Sequence, residues 1–176
     1  MTVIREAVFP DDEAAIRAID TGFATDTIFT AEVTIEGVTV QRETLPQPMA
    51  KIFPLDDIAP AAPGDLALVA EASNRVVGFA SAVFHEWNRR LAVMHLYVQP
   101  AFRQKGVGRA LLERVSAHAR RLNAAEIWVE ASNINAPGLA AYERLGFTLS
   151  GIDLTIYAGT PAHEEFAFFL SKPPSR

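Results

Sequence analysis

The sequence predicts a mixed α/β fold, with a central sheet and helices on both faces. Strand-like runs, either alternating or uniformly apolar, recur along the chain, and segments with apolar residues at helical spacing interrupt them. The order of these patterns mixes hairpins with strand–helix–strand connections, as in layered α/β proteins. Because the chain has 176 residues, 49% of them hydrophobic, it can bury one core, and we expect a single domain over 1–176.

The N-terminal half is expected to hold one helix and several short strands. Pro10 is followed by three acidic residues, which is typical of a helix start because carboxylates stabilise the positive end of a helix. Apolar residues alternate on both sides of Glu36 and Gly37, which indicates a hairpin. The predicted ranges are a strand over Val3–Ala7, the hairpin over Thr30–Arg42, a proline-rich loop or extended segment over Leu45–Gly64, and a second hairpin from Leu66–Glu71 and Val76–Phe84.

The C-terminal half alternates strands with two helices. An apolar stripe at helical spacing follows Gly106, and Gly146 ends a second helical pattern as a C-cap residue. The predicted ranges are strands over Arg90–Val98 and Glu126–Ala131, a helix from Val107 to Leu122, a helix over Ala136–Leu145, and strands over Phe147–Tyr157 and Glu165–Leu170.

A short basic loop between a strand and a helix is the most informative segment. Gly106 and Gly108 let the backbone turn tightly and approach an anion, and the free N–H groups of the following helix point at the same place. Arg103, Lys105 and Arg109 add positive charge. The segment therefore predicts a pyrophosphate site. It has neither the Lys-Ser/Thr pair of a P-loop nor the third glycine of a dinucleotide fingerprint.

Two segments resemble the GNAT N-acetyltransferases. The run Arg103–Ala110 resembles the family's acetyl-CoA signature Q/R-x-x-G-x-G/A, and Asn133–Pro137 followed by Ala141–Phe147 is similar to its N-x-x-A…Y-E-x-x-G-F segment. Further likeness extends from about Asp11 to Leu170 and includes Thr25–Phe29, Lys51–Pro54, Trp87–Leu91 and Gly151–Tyr157. These segments resemble the streptothricin (nourseothricin) branch, which suggests antibiotic resistance. The resemblance implies a mostly antiparallel sheet that splays between the strands around Val98 and Val129.

The resemblance also implies the residues that bind the cofactor, acetyl-CoA (CoA). Backbone groups of the strand before the loop would pair with the pantetheine arm, the loop would hold the pyrophosphate, and Asn135 would bond the arm, cap the next helix, or do both. The implied set is Leu96, Tyr97, Val98, Arg103, Gln104, Lys105, Gly106, Val107, Gly108, Arg109, Ala110, Asn135 and Tyr142.

Acetyl transfer to an amine needs a neutral amine, donors for an oxyanion and a proton for the leaving thiolate. Tyr142 is the expected acid, with core packing of its ring as the alternative. Glu130 and His95 are the two expected bases. The alternatives are a glutamate bonded to nearby backbone or an arginine, and a structural histidine. The resemblance implies a backbone N–H of Tyr97 or Val98 as the oxyanion donor.

The acceptor side is where the chain departs from the streptothricin branch. Met94, His95 and Tyr97 replace three carboxylates of the family's strand, which weakens the case for a polycationic amine. Two alternatives stay open: the enzyme keeps a streptothricin-like substrate, or it has moved to a less charged or aromatic amine. The expected substrate-binding residues are Asp26, Glu86, Trp87, Tyr97, Glu130, Asp153 and Tyr157.

Composition narrows the remaining possibilities. The formal net charge of −5 argues against general nucleic-acid binding, and a chain with no cysteine has no disulfide, thiolate metal site or cysteine nucleophile. No metal site is predicted. With no apolar leader or membrane-length run, we expect a cytoplasmic protein without a membrane partner. The alternatives to small-molecule acetylation are a non-catalytic acyl-CoA-binding or sensory module and an acetyltransferase for protein or peptide amines. The family resemblance also allows a homodimer.

Overall fold

The computed structural model describes residues 2–174, which form nine strands, three α-helices and a 3₁₀ turn at Pro100–Phe102. The strands are β1 (Val3–Glu6), β2 (Phe23–Thr34), β3 (Gly37–Lys51), β4 (Leu66–Ala72), β5 (Arg75–His85), β6 (Arg90–Val98), β7 (Glu126–Ser132), β8 (Thr148–Asp153) and β9 (Ala167–Lys172). The helices are α1 (Glu13–Arg17), α2 (Val107–Arg121) and α3 (Ala136–Arg144). The described residues form two compact units, the second from Gly22–Lys51 and Glu130–Ser171 and the first from the remaining described residues.

The first unit is built on strands paired in the order β1-β4-β5-β6-β7. All of these neighbours are antiparallel except β6 and β7, which are parallel. The prediction of a mixed, mostly antiparallel sheet with helices is therefore confirmed. The β6–β7 pairs end at Val93 and Val129, and β6 runs on to Val98 beyond them. The family resemblance implies that the two strands part around Val98 and Val129.

Helices cover both faces of this sheet. Ile16 of α1 packs in a buried cluster with Val69 and Phe79, so α1 lies on the face to which Phe79 points. The other face meets α2, since a Cβ built at Gly78 would lie 3.2 Å from Val107 Cγ1. Strand side chains alternate between faces, so neighbouring positions on β5 serve different helices. Buried apolar residues on both faces supply the core that the composition predicts.

A β-bulge interrupts β6 at Met94. Ser81 pairs with His95 and Ala82 with Val93, so Met94 has no opposite residue, and it is 55% exposed. A bulge shifts the alternation of side chains by one residue and increases the local twist. It therefore turns His95 toward the α1 face and coincides with the last β6–β7 pair.

In the second unit, β2 and β3 form a hairpin much longer than the sequence predicts. The ladder extends from the turn to Phe23 opposite Lys51, so the first seven residues of Leu45–Gly64, expected as a loop or extended segment, are paired in β3. Prolines misled the prediction. Thr27 pairs with Thr44 and Thr25 with Met49, so both prolines of the strand fall in a bulge, where no ladder hydrogen bond is lost.

The strand expected over Phe147–Tyr157 is also shorter, because β8 ends at Asp153. The Asp153 carboxylate accepts hydrogen bonds from the backbone N–H and the hydroxyl of Thr155, at 2.8 and 2.9 Å. This side-chain turn diverts the chain from the β8–β9 ladder. Tyr157 consequently lies in a turn rather than on a strand.

Asn133 organises the second unit around the end of β7. Its side chain donates to the Phe29 carbonyl at 2.8 Å and accepts from the Phe166 N–H at 3.0 Å, and its backbone bonds the same two residues. The network joins β2 to the segment before β9, where Phe29 and Phe168 stack edge to face at 5.5 Å. Asn133, the first residue of the N-x-x-A motif, is thus a structural residue.

Candidate active site

The cofactor loop presents three free backbone donors at the start of α2. Gly106 adopts φ +83°, which an L side chain rarely adopts, and ends the loop. The first intrahelical bond runs from Ala110 N–H to the Gly106 carbonyl at 3.0 Å. The N–H groups of Val107, Gly108 and Arg109 precede it and have no partner within the helix. The Ala110 N–H group is used within the helix, and the cofactor contact expected at Ala110 stays a prediction.

The loop leaves space for a bulky anion. A Cβ built at Gly106 meets nothing within 4 Å, and one at Gly108 meets only Val98 Cγ2, at 3.9 Å. Val107 is buried against the sheet, so only its backbone can face a ligand. Helix N-termini with open, glycine-flanked donors bind phosphate groups. The loop thus fits the pyrophosphate of acetyl-CoA.

The basic side chains of the loop do less than the sequence suggests. Arg103 donates to the carbonyls of Val98 and Asp20, at 2.9 and 3.0 Å, and Lys105 donates to the Ala101 carbonyl at 2.7 Å. Both cations are thus bound to backbone within the protein. Gln104 is exposed, with φ +60°.

Arg109 is exposed on the first turn of α2, and the sequence did not reveal its neighbour Lys172 at the end of β9. Burial lowers the pKa of Lys172, and the nearby charge of Arg109 lowers it further. Two like charges near a helix N-terminus favour an anion. No motif marks Lys172, because only the fold brings the end of β9 to α2.

His95 sits on the α1 face of β6 in a mostly apolar setting. Its Nδ1 lies 2.7 Å from Ser81 Oγ, and its ring packs near Phe79 and Tyr97 at centroid distances of 5.7 and 6.1 Å. Burial lowers the pKa of His95, while the charges of Asp56 and Asp57 and a hydrogen bond to the Asp56 backbone oppose the shift. These contacts favour the structural alternative over a general base.

Tyr97 and its neighbours on β6 form the end of the strand that leads to the loop. The Tyr97 ring packs at 6.5 Å from that of Phe53, and burial raises the pKa of its hydroxyl to about 12. The Val98 carbonyl accepts a hydrogen bond from Arg103 Nε. Leu96 lies one pair further from the loop, opposite Ala80. Backbone groups of this strand stay our prediction for the pantetheine contacts.

Glu86 and Trp87 lie in the turn between β5 and β6, and Trp87 is 86% exposed. Tyr97 is at the other end of β6, and a strand rises about 3.3 Å per residue. The structure therefore separates Trp87 from Tyr97 by most of the strand, and it does not bring these expected acceptor residues together.

In the second unit, exposed Glu130 forms a pair with partly buried Tyr157. Tyr157 donates its hydroxyl to Glu130 Oε1 at 2.7 Å. Burial raises the pKa of Tyr157, and the hydrogen bond to Glu130 and the charge of Glu165 raise it further. Glu165 is itself bound to Lys51 and Ser132. Glu130 is exposed, and its bond to Tyr157 uses one carboxylate oxygen.

The other acidic residues expected near the acceptor are placed differently. Asp153 is partly buried, and its carboxylate accepts the hydrogen bonds of the turn at Thr155, which lowers its pKa. Asp26 is exposed in the β2 bulge and accepts from the Thr27 hydroxyl at 3.0 Å. The Asp26 carboxylate is therefore accessible to a ligand, whereas the Asp153 carboxylate stabilises the turn that follows β8.

The α3 helix carries the two motif residues that the sequence assigns to the cofactor arm and the acid. Asn135 caps the helix by accepting from the Gly138 N–H at 3.0 Å, which leaves its NH₂ group for another partner. Tyr142 stacks edge to face on Phe147 at 5.5 Å and is partly exposed. Both alternatives weighed for Asn135 remain compatible with this geometry, and the acid role of Tyr142 stays a prediction.

Comparison with known proteins identifies the family. Residues 32–147 match the acetyltransferase (GNAT) family. The chain is 35% identical to streptothricin acetyltransferase of Streptomyces lavendulae over 172 residues, 93% of this chain and 91% of the relative. It superposes on the crystal structure of a nourseothricin acetyltransferase with a TM-score of 0.91 at 38% identity, covering 99% of both chains.

A more distant structure shares the fold. A Bacillus anthracis str. Ames protein, solved in complex with acetyl coenzyme A, superposes with a TM-score of 0.82 at 22% identity, covering 98% of this chain and 97% of that one. The family model, the relatives and the phosphate-binding loop agree on one activity, acetyl-CoA-dependent transfer to an amine. The chain belongs to the acetyltransferase (GNAT) family.

Proposed function

We propose that the acceptor is a polycationic small-molecule amine of the streptothricin class. The carrying observation is the uneven charge of the two units. The second unit holds nine carboxylates, against the basic residues Arg42, Lys51 and Arg144. The first unit, which contains the cofactor loop, has thirteen basic and twelve acidic residues. A locally negative surface attracts a cationic substrate even when the whole chain is only mildly acidic.

Glu130 is the proposed base and the first anchor of the amine. The Tyr157 hydroxyl orients one carboxylate oxygen of Glu130. The other oxygen is left for the ammonium group of the substrate, or for a water molecule through which the ammonium proton reaches Glu130. His95 is less suited, since its ring is held by Ser81 and by the Asp56 backbone. Glu130 therefore takes the base role that the sequence left open between the two residues.

Acetyl-CoA supplies the thioester when bound. The N–H groups of Val107, Gly108 and Arg109 would hold its pyrophosphate. In the proposed reaction the amine attacks directly, a backbone N–H of Tyr97 or Val98 donates to the oxyanion, and Tyr142 protonates the thiolate. Direct attack through a ternary complex requires no covalent enzyme intermediate, which suits a chain that contains no cysteine.

The placement of aromatic residues argues against the alternative of an aromatic acceptor. Trp87 and Tyr97 would contribute the surface for such an amine, but they lie at opposite ends of β6. Tyr97 instead packs on Phe53. The streptothricin and nourseothricin acetyltransferases that resemble the chain over more than nine-tenths of its length add support for the cationic substrate.

Free-thiol release from acetyl-CoA with a panel of amines tests the proposal. The panel contains streptothricin, an aminoglycoside, a polyamine, an aromatic amine and a lysine peptide. We expect the highest kcat/KM with streptothricin, and a steep decrease with added salt because charge attraction is screened. Acetyl-CoA binding without turnover would support a non-catalytic acyl-CoA-binding module, and fastest turnover of the peptide would support a protein or peptide acetyltransferase.

Three broader expectations are part of the proposal. We propose that 1–176 unfolds as one acetyltransferase domain, which a single transition shared by fluorescence and circular dichroism would support. We propose action in the cytoplasm. No helix within residues 2–174 is long and apolar enough to cross a membrane. We also propose a homodimer, which a molar mass measured by light scattering would test.

A further inference from the structure

Two side chains at the start of the cofactor loop hold the segment that follows α1. Gln99 Nε2 donates to the Ala18 carbonyl at 3.1 Å, and its Oε1 accepts from the Asp20 N–H at 3.4 Å. Arg103 Nη2 donates to the Asp20 carbonyl at 3.0 Å, while its Nε donates to Val98. Carbonyl groups at a helix end have no intrahelical partner, so side chains that reach them fix that end. We call Gln99, Arg103 and residues 18–20 the clamp.

The clamped segment leads directly to an aromatic contact beside β6. Buried Thr21 donates its hydroxyl to the Phe53 carbonyl at 2.6 Å. The Phe53 ring packs on Tyr97, two residues before Gln99. These contacts therefore connect Gln99, through residues 18–21 and Phe53, to Tyr97 on the same strand-to-loop segment, all within the first unit.

We propose that Gln99 and Arg103 are positioning residues that set Phe53 and Tyr97 for the amine, rather than contacts to the cofactor phosphates. This rests on the function proposed above. Both Arg103 bonds end on neutral carbonyl groups, so their role is geometric. Lysine cannot reproduce it, because one ammonium group does not present the two separated donors of a guanidinium.

Variants Gln99→Ala, Arg103→Ala, Arg103→Lys and the double alanine variant test the clamp, with exposed Arg75→Ala as the matched control. We expect the acetyl-CoA Kd, measured by calorimetry, to stay within about 3-fold and the KM for the amine to rise about 10-fold, near 1.4 kcal/mol. Arg103→Lys should behave like Arg103→Ala. The double variant should be little worse than either single one, because the residues act on one segment.

Two results would overturn the clamp. One is weaker acetyl-CoA binding in Arg103→Ala that Arg103→Lys restores, which means a direct phosphate contact. The other is an unchanged KM for the amine. If the wild type acetylates no amine, the proposed function fails. Amide hydrogen exchange then tests the clamp independently of activity. Peptides covering residues 18–21 and 52–55 should exchange faster in Gln99→Ala and Arg103→Ala than in wild type, and equal rates would refute it.

Discussion

Substituting Gly108 separates cofactor binding from stability. A side chain at this position meets only Val98 Cγ2, at 3.9 Å, and Gly108 is not among the residues with positive φ. Gly108→Val should therefore fold normally, since valine is slightly favoured over glycine in a helix, by a few tenths of a kcal/mol. The valine methyl groups would, however, stand over the free N–H groups at the start of α2.

The expected loss follows from the hydrogen bonds that are blocked. A hydrogen bond to a charged group contributes about 1.5–3 kcal/mol, so losing two costs about 3–6 kcal/mol. The acetyl-CoA Kd should rise at least about 100-fold. Gly108→Ala is the graded control, because one methyl group should change the Kd by less than about 5-fold.

Calorimetric titration with acetyl-CoA and a thermal melt measure both effects on one sample. Unchanged Tm with lost binding supports the loop as the pyrophosphate site. Binding of acetyl-CoA by Gly108→Val within about 5-fold of wild type would refute the reasoning, since the N–H groups would then not face the ligand. A large drop in Tm would show that a valine side chain does not fit in the space around Gly108.

Three further predictions follow from the site. Tyr142→Phe should lower kcat by at least about 10-fold with an unchanged acetyl-CoA Kd, and wild-type kcat would remove its acid role. Glu130→Gln should lower kcat/KM by about 100-fold and flatten the acidic limb of the pH profile, whereas Tyr157→Phe should lower kcat/KM by less. An acidic limb that is retained in Glu130→Gln would assign the base to another residue. Because burial lowers the pKa of His95 below 6.5, stability should be full above that pH and fall as the pH decreases below it, a dependence that His95→Gln should lack in denaturant titrations.

Local patterns were sufficient to predict most of the fold. A strand-like run that ends before Pro100 predicted β6 over Arg90–Val98, and the helical patterns predicted α2 and α3 to within a residue or two. The failures have local causes that periodicity cannot show. The prolines of β3 read as loop residues because the bulge that accommodates them depends on the opposite strand. The end of β8 depends on one side-chain turn at Asp153.

The site could be predicted in type but not in detail. The glycines and the helix after them indicate a phosphate loop, but the sequence does not show that the Arg103 guanidinium binds two backbone carbonyl groups. The bulge at Met94 decides which face His95 takes, and it appears only as a register shift between strands. The pair formed by Glu130 and Tyr157 depends on a turn whose course no pattern encodes.

The most direct test of a cationic acceptor is a competition in one vessel. Purified enzyme receives acetyl-CoA with equal concentrations of streptothricin and an aromatic monoamine, and mass spectrometry measures the ratio of acetylated products. The acidic second unit predicts acetyl-streptothricin in large excess, with an excess that shrinks as salt is added. Equal or greater acetylation of the aromatic amine, insensitive to salt, would contradict the account.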